Sequence, residues 1–415
     1  MIPIFPADTT GGKADLMDKA AASAKAYLQP GLLQLKALPP LSLYIHFPWC
    51  VRKCPYCDFN SHQVRDGFPE EAYLAALRMD LEQALPLVWG RKIHTIFIGG
   101  GTPSLMSARG LDQLMSDVRS LLPLDGAAEI TMEANPGTFE AEKFKSYRQS
   151  GINRLSIGIQ SFDAAKLHAL GRIHDGDQAR RAVEIAQQHF DNFNLDLMFA
   201  LPQQSMAELK QDLATALSFA PPHLSLYHLT LEPNTLFAKY PPTVPDDDLS
   251  AEMQDFLQEE TARQGYQHYE VSAYAKQGRR AKHNLNYWEF GDYLGIGAGA
   301  HSKISFPHRI IRQARYKQPQ AYMEQTRLGQ AVQEEHEVGR NQLGFEFMLN
   351  ALRLSDGFAN SIFAERTGLS LNMLEPALQE AERKGLLYCD HQNIRPTELG
   401  QRFLNDLQQL FLSDD

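Results

Sequence analysis

The sequence is poor in cysteine and has no long hydrophobic run. It contains 4 cysteines in 415 residues, too few for the disulfide framework of a secreted domain. No stretch of about 18 apolar residues is available to span a bilayer, and the N-terminus lacks the charged-then-apolar pattern of a signal peptide. These absences predict a cytoplasmic protein.

Positive charge is also in short supply. Lys and Arg number 40 against 50 Asp and Glu, which gives a formal net charge of −10. Because nonspecific binding to nucleic acid depends on an excess of positive charge, we expect no nucleic-acid partner. The chain is longer than one hydrophobic core usually serves, so we expect a large domain followed by a smaller one.

Short apolar runs alternate with helix-like segments from residue 41 onward. Six runs have the composition of strands, at 41–47, 94–100, 128–134, 154–160, 194–199 and 223–229. Segments with helical periodicity lie between them, including 70–85, 111–122, 179–189 and 206–219. Strands that alternate with helices predict a parallel sheet, and six such units predict an α/β fold, a partial (β/α)6 barrel.

The remaining chain divides around this core. We predict an N-terminal extension at 1–40, the barrel core at 41–245, completion of the barrel at 246–334 and a C-terminal domain at 335–415. Three helical segments at 342–352, 360–367 and 371–384 precede a predicted β-wing, which is the outline of a winged-helix-like α+β domain. Acidic residues outnumber basic ones there, so packing is favoured over DNA binding.

Three cysteines, Cys50, Cys54 and Cys57, follow the first predicted strand within eight residues. Thiolates are the ligands of iron–sulfur clusters, and three of them can hold three corners of a cubane while one iron stays open. A structural zinc site is the alternative. It normally needs four protein ligands, and His46, Asp58 or His62 would have to supply the fourth. Cys389 is remote and is predicted to be a small buried residue.

Polar residues collect at the C-terminal ends of the predicted strands, where barrel proteins build their sites. They are the segment 99–102, Glu133, Gln160 and Arg172. A glycine run would equally suit a tight turn. Asp196 lies inside its strand, where a carboxylate needs a ligand or a structural hydrogen bond to offset its desolvation.

The C-x3-C-x2-C motif after the first strand of such a barrel resembles the signature of the radical S-adenosylmethionine (SAM) superfamily. The resemblance implies that Cys50, Cys54 and Cys57 hold a [4Fe–4S] cluster whose open iron binds the amine and carboxylate of SAM. It also implies that a cluster electron cleaves the sulfonium C–S bond, which can give a 5′-deoxyadenosyl radical. The segment 99–102 resembles the glycine motif of the superfamily, where missing side chains let the backbone approach the methionyl amine.

Further blocks indicate the branch. LSLYIHFPWC, GGGTPS, MEANPG, RLSIGIQSF, LGRIH and NLDLMFALP resemble the group that contains oxygen-independent coproporphyrinogen III dehydrogenases and HemW-type haem chaperones. This resemblance implies that nine residues contact SAM: Tyr44, Tyr56, Gly100, Gly101, Thr102, Glu133, Gln160, Arg172 and Asp196. By donor and acceptor type, Glu133 would accept from the amine, Asp196 from a ribose hydroxyl, and Arg172 would pair with a carboxylate.

Two features favour the chaperones within this group. The dehydrogenase pattern CxxxCxxCxC has a fourth cysteine, whereas here Asp58 and Phe59 follow Cys57. The segment HNLNYW resembles the HNxxYW motif of the chaperones, and it contributes His283, Asn284, Tyr287 and Trp288 as predicted haem-binding residues. A neutral imidazole is a common axial ligand of haem iron, and Tyr and Trp offer flat apolar faces. Without the family context, a lone histidine in an aromatic loop would be read as structural.

A basic run precedes this motif. It comprises Lys276, Arg279, Arg280 and Lys282, which are candidates to pair with the haem propionates. A solvated basic face explains such a run equally well.

The resemblance implies a protein that binds haem and transfers it to haem-dependent acceptors, with a [4Fe–4S] cluster and SAM as further cofactors. Respiratory enzymes at the membrane are the expected acceptors, which allows membrane association, and the chain is compatible with a homodimer. The competing hypothesis is an enzyme that oxidatively decarboxylates coproporphyrinogen III with SAM.

Overall fold

The computed structural model describes residues 33–64, 67–138 and 141–412. Most of the predicted extension at 1–40 therefore lies outside the described residues. In its described part, Leu33 and Leu35 are buried in the core of the C-terminal domain. No helix in the described ranges is both long and apolar enough to cross a membrane.

The strands dominate the architecture. In chain order they are β1 (Leu41–Phe47), β2 (Trp49–Cys50), β3 (His62–Gln63), β4 (Ile93–Gly100), β5 (Leu124–Ala134), β6 (Arg154–Gln160), β7 (Phe193–Phe199), β8 (His223–His228), β9 (Gln267–Glu270), β10 (Ala273–Ala275), β11 (Asp292–Ile296), β12 (His301–Phe306), β13 (Arg309–Arg315), β14 (Val332–Glu337), β15 (Phe358–Ala359), β16 (Leu387–Cys389) and β17 (Asn393–Pro396). Twelve of them form one sheet in the order β14-β13-β12-β11-β1-β4-β5-β6-β7-β8-β10-β9.

Helices connect and cover these strands. They are α1 (Glu70–Val88), α2 (Ala108–Leu121), α3 (Ala141–Gln149), α4 (Ala164–Ala169), α5 (Gly176–His189), α6 (Met206–Ser218), α7 (Leu236–Lys239), α8 (Asp247–Arg263), α9 (Lys282–Trp288), α10 (Pro319–Arg327), α11 (Leu343–Ala351), α12 (Asn360–Thr367), α13 (Glu375–Arg383), α14 (Glu398–Arg402) and α15 (Leu404–Gln409). Short 3-10 turns at Pro103–Leu105, Pro136–Thr138 and Leu371–Leu374 supplement them.

The parallel core confirms the predicted α/β fold. The six predicted strands correspond to β1 and β4 to β8, which pair in parallel with their neighbours. A seventh parallel strand, β11, joins the other side of β1. Antiparallel strands flank this core, with β12 to β14 beyond β11 and β10 and β9 beyond β8. The two outer strands of the sheet, β14 and β9, do not neighbour each other, so the barrel is partial.

The strand sequences explain the burial. In β1 the residues Leu41, Leu43, Ile45 and Phe47 are each at most 2% exposed. These four side chains lie on one face of the strand, because successive residues of a strand point to opposite faces. Ser42 and His46, which lie between them, are also buried, so both faces of β1 are covered. Because β1 and β4 to β8 pair in parallel, the polar residues at their C-terminal ends lie at one edge of the sheet.

A buried ion pair ties α1 to the strands after the parallel core. Arg315 in β13 and Asp80 in α1 are each 1% exposed, and Arg315 Nη2 lies 3.2 Å from Asp80 Oδ1. The Tyr322 hydroxyl donates to Asp80 Oδ2 at 2.9 Å, and the Gly297 amide donates to the same oxygen at 3.1 Å. These four groups join segments that are more than 200 residues apart in sequence.

Replacing Arg315 by Ala is expected to lower the free energy of unfolding by about 3–5 kcal/mol, because it leaves the Asp80 carboxylate buried without its cation. Arg181→Ala is the matched control. Its guanidinium forms a surface pair with Glu184, and such pairs contribute about 1 kcal/mol or less. Equal urea midpoints for the two variants would contradict the expected difference.

The C-terminal domain has its own apolar core. Phe347, Phe358 and Phe363 pack edge to face at its centre, and β15, β17 and β16 form a separate three-stranded sheet. Helices 343–351, 360–367 and 375–383 therefore precede a wing, as the sequence predicts. Because β14 pairs with β13 and ends at Glu337, we propose that the domain boundary lies just after this residue.

Candidate functional site

The cysteine loop starts at the C-terminal end of β1. Cys50 ends the short strand β2, which pairs with β3, and the loop between these strands carries Cys54 and Cys57. The Phe237 amide donates to the Pro55 carbonyl at 3.0 Å and anchors the loop to α7. All three cysteines line one cavity of about 370 Å³, and they are free thiols.

Each thiol has a hydrogen-bonding neighbour. The Thr102 side chain hydrogen-bonds to Cys50, Arg172 Nη1 lies 3.7 Å from Cys54 Sγ and Ser61 Oγ lies 3.9 Å from Cys57 Sγ. Burial raises the pKa of the Cys50 and Cys57 thiols, and the other cysteines raise it further. Such thiols release protons when they bind a metal cluster.

This donor set fits an iron–sulfur cluster. No three His, Cys, Asp or Glu side chains within the described ranges are grouped closely enough to hold a single metal ion. The thiolates of a [4Fe–4S] cluster each bind a different iron atom, so their sulfurs do not have to converge on one point. Hydrogen bonds to the sulfurs also help to set the reduction potential of such a cluster.

Two glycines at the end of β4 keep the backbone accessible. Gly100 has φ +113°, and a Cβ there would lie 2.4 Å from the His46 ring. A Cβ on Gly101 would lie 2.4 Å from the Trp49 carbonyl oxygen. The Gly101 and Thr102 amides donate to the Phe47 and Trp49 carbonyls at 2.7 Å, which fixes this turn against the cysteine loop.

Two carboxyl groups face the same cavity. Glu133, in β5, accepts from the Gly100 amide at 3.0 Å. Burial and the neighbouring Asp196 raise its pKa to about 8. Asp196, in β7, accepts from Ser156 and Asn194 at 3.0 and 2.8 Å, and burial raises its pKa to about 6. The hydrogen bonds leave both carboxyl groups on the cavity wall.

We propose that Glu133 accepts from the amine of SAM, and its raised pKa then predicts a pH dependence of SAM binding. Between pH values of about 4.5 and 8, Glu133 keeps its proton in the folded chain but has lost it in the unfolded chain. Glu133 therefore lowers the free energy of unfolding as the pH rises through this window. A bound ammonium favours the carboxylate, so SAM affinity is expected to rise with pH over the same window. Titration calorimetry of SAM binding in buffers of different ionisation enthalpy measures the number of protons released on binding.

Glu133→Gln is expected to remove this proton release, whereas Asp191→Asn, an exposed change outside both cavities, keeps it. An unchanged proton count in Glu133→Gln would contradict the assignment.

Arg172 is held at the opposite wall. Its Nη2 donates to the Gly158 carbonyl at 2.7 Å and to Asn135 Oδ1, while Asn135 Nδ2 donates to Thr102 Oγ1 at 3.1 Å. Arg172 Nε is buried and has no hydrogen-bond partner among the residues that the structure describes. A buried guanidinium with a spare donor suits a carboxylate ligand, which is the role that the sequence predicts.

Most of the predicted SAM and cluster residues meet in this smaller cavity. Its lining includes Cys50, Cys54, Tyr56, Cys57, Gly100, Gly101, Thr102, Glu133, Gln160, Arg172, Asp196 and Asn284. Tyr44 is instead on the wall of the adjoining larger cavity, where its hydroxyl donates to His46 Nδ1 at 2.9 Å. Gln160 has φ +67°, a strained conformation typical of functional sites.

The larger cavity has a volume of about 890 Å³ and directly adjoins the smaller one. Cys57, Gly100 and Glu133 line both. Of the predicted haem motif, Tyr287 and Trp288 line the larger cavity. The indole Nε1 of Trp288 is buried, and no described residue hydrogen-bonds to it.

His283 does not line either cavity. It is 1% exposed, its Nδ1 donates to Thr95 Oγ1 at 2.8 Å, and its Nε2 accepts from the Tyr287 hydroxyl at 3.0 Å. The donor roles follow from Thr95, whose hydroxyl hydrogen is committed to Ser42. Burial lowers the pKa of His283 to about 3. The ring is therefore neutral, but both nitrogens are engaged, and it supports Tyr287 from behind.

The basic run before the motif faces away from both cavities. Lys276 Nζ donates to the Gln264 carbonyl, and Arg280 pairs with Asp356 at 2.7 Å. Neither these residues nor Arg279 and Lys282 line the two cavities. The cations that line the larger cavity include Lys53 and Lys317, which sequence reasoning did not select because they lie in separate loops.

Asn135 and His301 were also missed. Asn135 lies within the quoted block MEANPG, so its position beside Glu133 was the available signal. His301 follows a glycine-rich segment that carries no local sign of a site, and only the placement of β12 beside β11 brings it to the larger cavity.

Comparison with known proteins agrees with this geometry. A model of the radical SAM superfamily matches residues 44–216, and a HemN C-terminal domain model matches residues 339–403. The heme chaperone HemW of Escherichia coli K12 is 48% identical over 91% of this chain and 99% of its own length. HemW of Bacillus subtilis is 35% identical over 90% of this chain and 99% of its own length.

A solved structure supports the fold as well. Coproporphyrinogen III oxidase (HemN) from Escherichia coli, described as a radical SAM enzyme, superposes on this chain with a TM-score of 0.78 at 22% sequence identity. The superposition covers 95% of this chain and 93% of the HemN chain. Sequence identity to HemW over nearly the whole chain, together with the clustered cysteines and strand-end residues, defines the family. This chain belongs to the HemW family of the radical SAM superfamily.

Proposed function

We propose that this protein is a haem chaperone, which holds haem in the larger cavity and passes it to haem-dependent acceptor proteins. The observation that carries the proposal is a cavity of about 890 Å³ with aromatic residues on its wall, which shares Cys57 with the smaller cavity that all three thiols line. Cavities of about 300–1,000 Å³ with apolar linings and a few polar groups are typical of sites for organic ligands. The names of the HemW relatives agree with this use.

The cavity wall suits a flat macrocycle. Tyr287, Trp288, Tyr293 and Phe59 present aromatic rings along it. Tyr287 and Tyr293 pack edge to face with centroids 4.6 Å apart, which keeps these two rings in fixed orientations. Aromatic faces give a porphyrin a large apolar contact at little entropic cost.

The smaller cavity is proposed to hold the cluster and SAM. Cys50, Cys54 and Cys57 would ligate a [4Fe–4S] cluster, and superfamily membership implies both cofactors. Glu133 would accept from the methionyl amine and Arg172 would pair with the carboxylate. When bound, the cluster supplies the electron for cleavage of the sulfonium C–S bond. The chain contributes the polar-lined wall that would orient SAM beside the cluster.

Delivery requires an acceptor. We propose haem-containing respiratory enzymes at the membrane as acceptors, a cytoplasmic location for the carrier and a homodimer as a compatible assembly. The dehydrogenase pattern has a cysteine at the position that Phe59 occupies here, and this difference favours the chaperone over the dehydrogenase.

The test uses anaerobically reconstituted full-length protein. We expect one haem per chain by titration of the Soret band and no protoporphyrinogen from coproporphyrinogen III with SAM and reductant. Turnover of coproporphyrinogen would overturn the proposal in favour of the dehydrogenase, and a failure to bind haem would overturn it outright.

A further inference from the structure

The imidazole that binds the haem iron can be inferred from the cavity. Three histidines line it, namely His46, His62 and His301. His46 has both ring nitrogens engaged, since Nδ1 accepts from Tyr44 at 2.9 Å and Nε2 donates to the Asn60 carbonyl at 2.8 Å. His283 behind the wall is equally committed, as described above.

His62 is poorly placed for an iron. Its ring hydrogen-bonds to the Lys317 backbone. Its Nε2 is buried and has no hydrogen-bond partner in the described ranges. Iron ligation needs an imidazole nitrogen that is both deprotonated and accessible. His62 would have to leave its present bond and turn outward to meet this requirement.

His301 meets both requirements. It begins β12 directly after Gly299 and Ala300, its side chain is exposed on the cavity wall, and its ring has no hydrogen-bond partner among the described residues. Partial burial disfavours protonation of His301, as do the nearby Lys317 and Arg312, and both effects lower its pKa. A neutral ring with an accessible nitrogen is the form that binds haem iron.

The cations beside His301 suit the other end of the haem. Lys53 and Lys317 are exposed on the same cavity wall, and neither ammonium forms an ion pair within the part of the chain that the structure describes. Carboxylates pair strongly with such groups when the surroundings are partly dry. The cavity therefore offers an iron ligand and unpaired cations for propionates, while its aromatic wall covers the ring.

We propose that His301, not His283, is the protein ligand of the haem iron, and that Lys53 and Lys317 pair with the haem propionates. This inference rests on the proposed function, because it specifies how the larger cavity holds haem.

Ferric haem titrated into His301→Ala tests the ligand. We expect affinity to fall about tenfold or more, with loss of the low-spin imidazole signature in the optical and electron paramagnetic resonance spectra. Added imidazole is expected to restore that signature, because the variant leaves a space beside the iron. His391→Ala, an exposed histidine of the C-terminal wing, is the matched control and should titrate like the wild type.

The buried ring of His283 requires a fold control. His283→Ala removes two buried hydrogen bonds, so its thermal midpoint and its cluster content are measured beside haem affinity. A wild-type spectrum for His301→Ala would overturn the inference, and so would loss of the imidazole signature in a folded His283→Ala or His62→Ala chain. Wild-type protein that binds no haem would instead overturn the proposed function, so the two failures are distinguishable.

The lysines have a separate readout. Lys53→Ala combined with Lys317→Ala is expected to weaken binding of haem more than binding of its dimethyl ester, which lacks the propionate charges. The change Lys276→Ala with Arg279→Ala, on the face that carries the basic run, should affect neither ligand. Equal weakening for haem and the ester would overturn the propionate assignment.

Discussion

Replacing Cys57 by Ala is expected to abolish assembly of the [4Fe–4S] cluster and, with it, the spectral response to SAM. Cys57 is one of three thiols on the wall of the smaller cavity, and two thiolates leave a second iron corner without a protein ligand. Iron and sulfide analysis after anaerobic reconstitution, followed by titration with SAM, measures both losses.

Cys389→Ala provides the matched control, because this cysteine lies in the separate three-stranded sheet and outside both cavities. It should retain wild-type iron and sulfide content. Stoichiometric zinc with tetrahedral sulfur coordination in the wild type, or a full cluster in Cys57→Ala, would contradict the cluster assignment.

Gly101→Ala is expected to destabilise the protein by about 2–3 kcal/mol and to abolish SAM binding. The new Cβ would lie 2.4 Å from the Trp49 carbonyl oxygen, so the backbone of the cysteine loop or of the β4 end must shift. Overpacking of this kind typically costs about 1–3 kcal/mol. The shift moves the turn that precedes Thr102 and thereby the cavity that the thiols share.

Gly126→Ala separates this effect from a general glycine effect, since no atom lies within 4 Å of the corresponding Cβ. The control should keep its free energy of unfolding within about 0.5 kcal/mol of the wild-type value, and it should keep its affinity for SAM. Normal SAM binding by Gly101→Ala would show that the close approach at this glycine does not serve the site.

The sequence was sufficient to predict features that depend on local pattern. The strand 154–160 and the helix 360–367 have the bounds that the sequence predicts, because apolar runs and polar helix ends are local signals. The cysteine motif was equally visible, since its members lie within eight residues. Glu133, near the end of β5, and Asp196, inside β7, line one cavity because parallel pairing through β6 places these strands side by side.

Features that depend on distant contacts were not predictable. The strands β12 to β14 carry polar outer residues and gave no clear strand signal, and their placement depends on the buried contact of Arg315 with Asp80 across 235 positions. The inward orientation of His283 depends on Thr95 in another strand. The HNxxYW motif thus places Tyr287 and Trp288 at the larger cavity, whereas tertiary packing decides the orientation of the His283 ring.

The wall shared by the two cavities has a thermodynamic consequence. Glu133 and Gly100 border both spaces, so a ligand that reorients either group in one space alters the free energy of binding in the other. Such coupling is necessarily reciprocal. If SAM weakens the retention of haem by a given factor, then haem weakens the retention of SAM by the same factor, and the arrival of one ligand can promote the departure of the other.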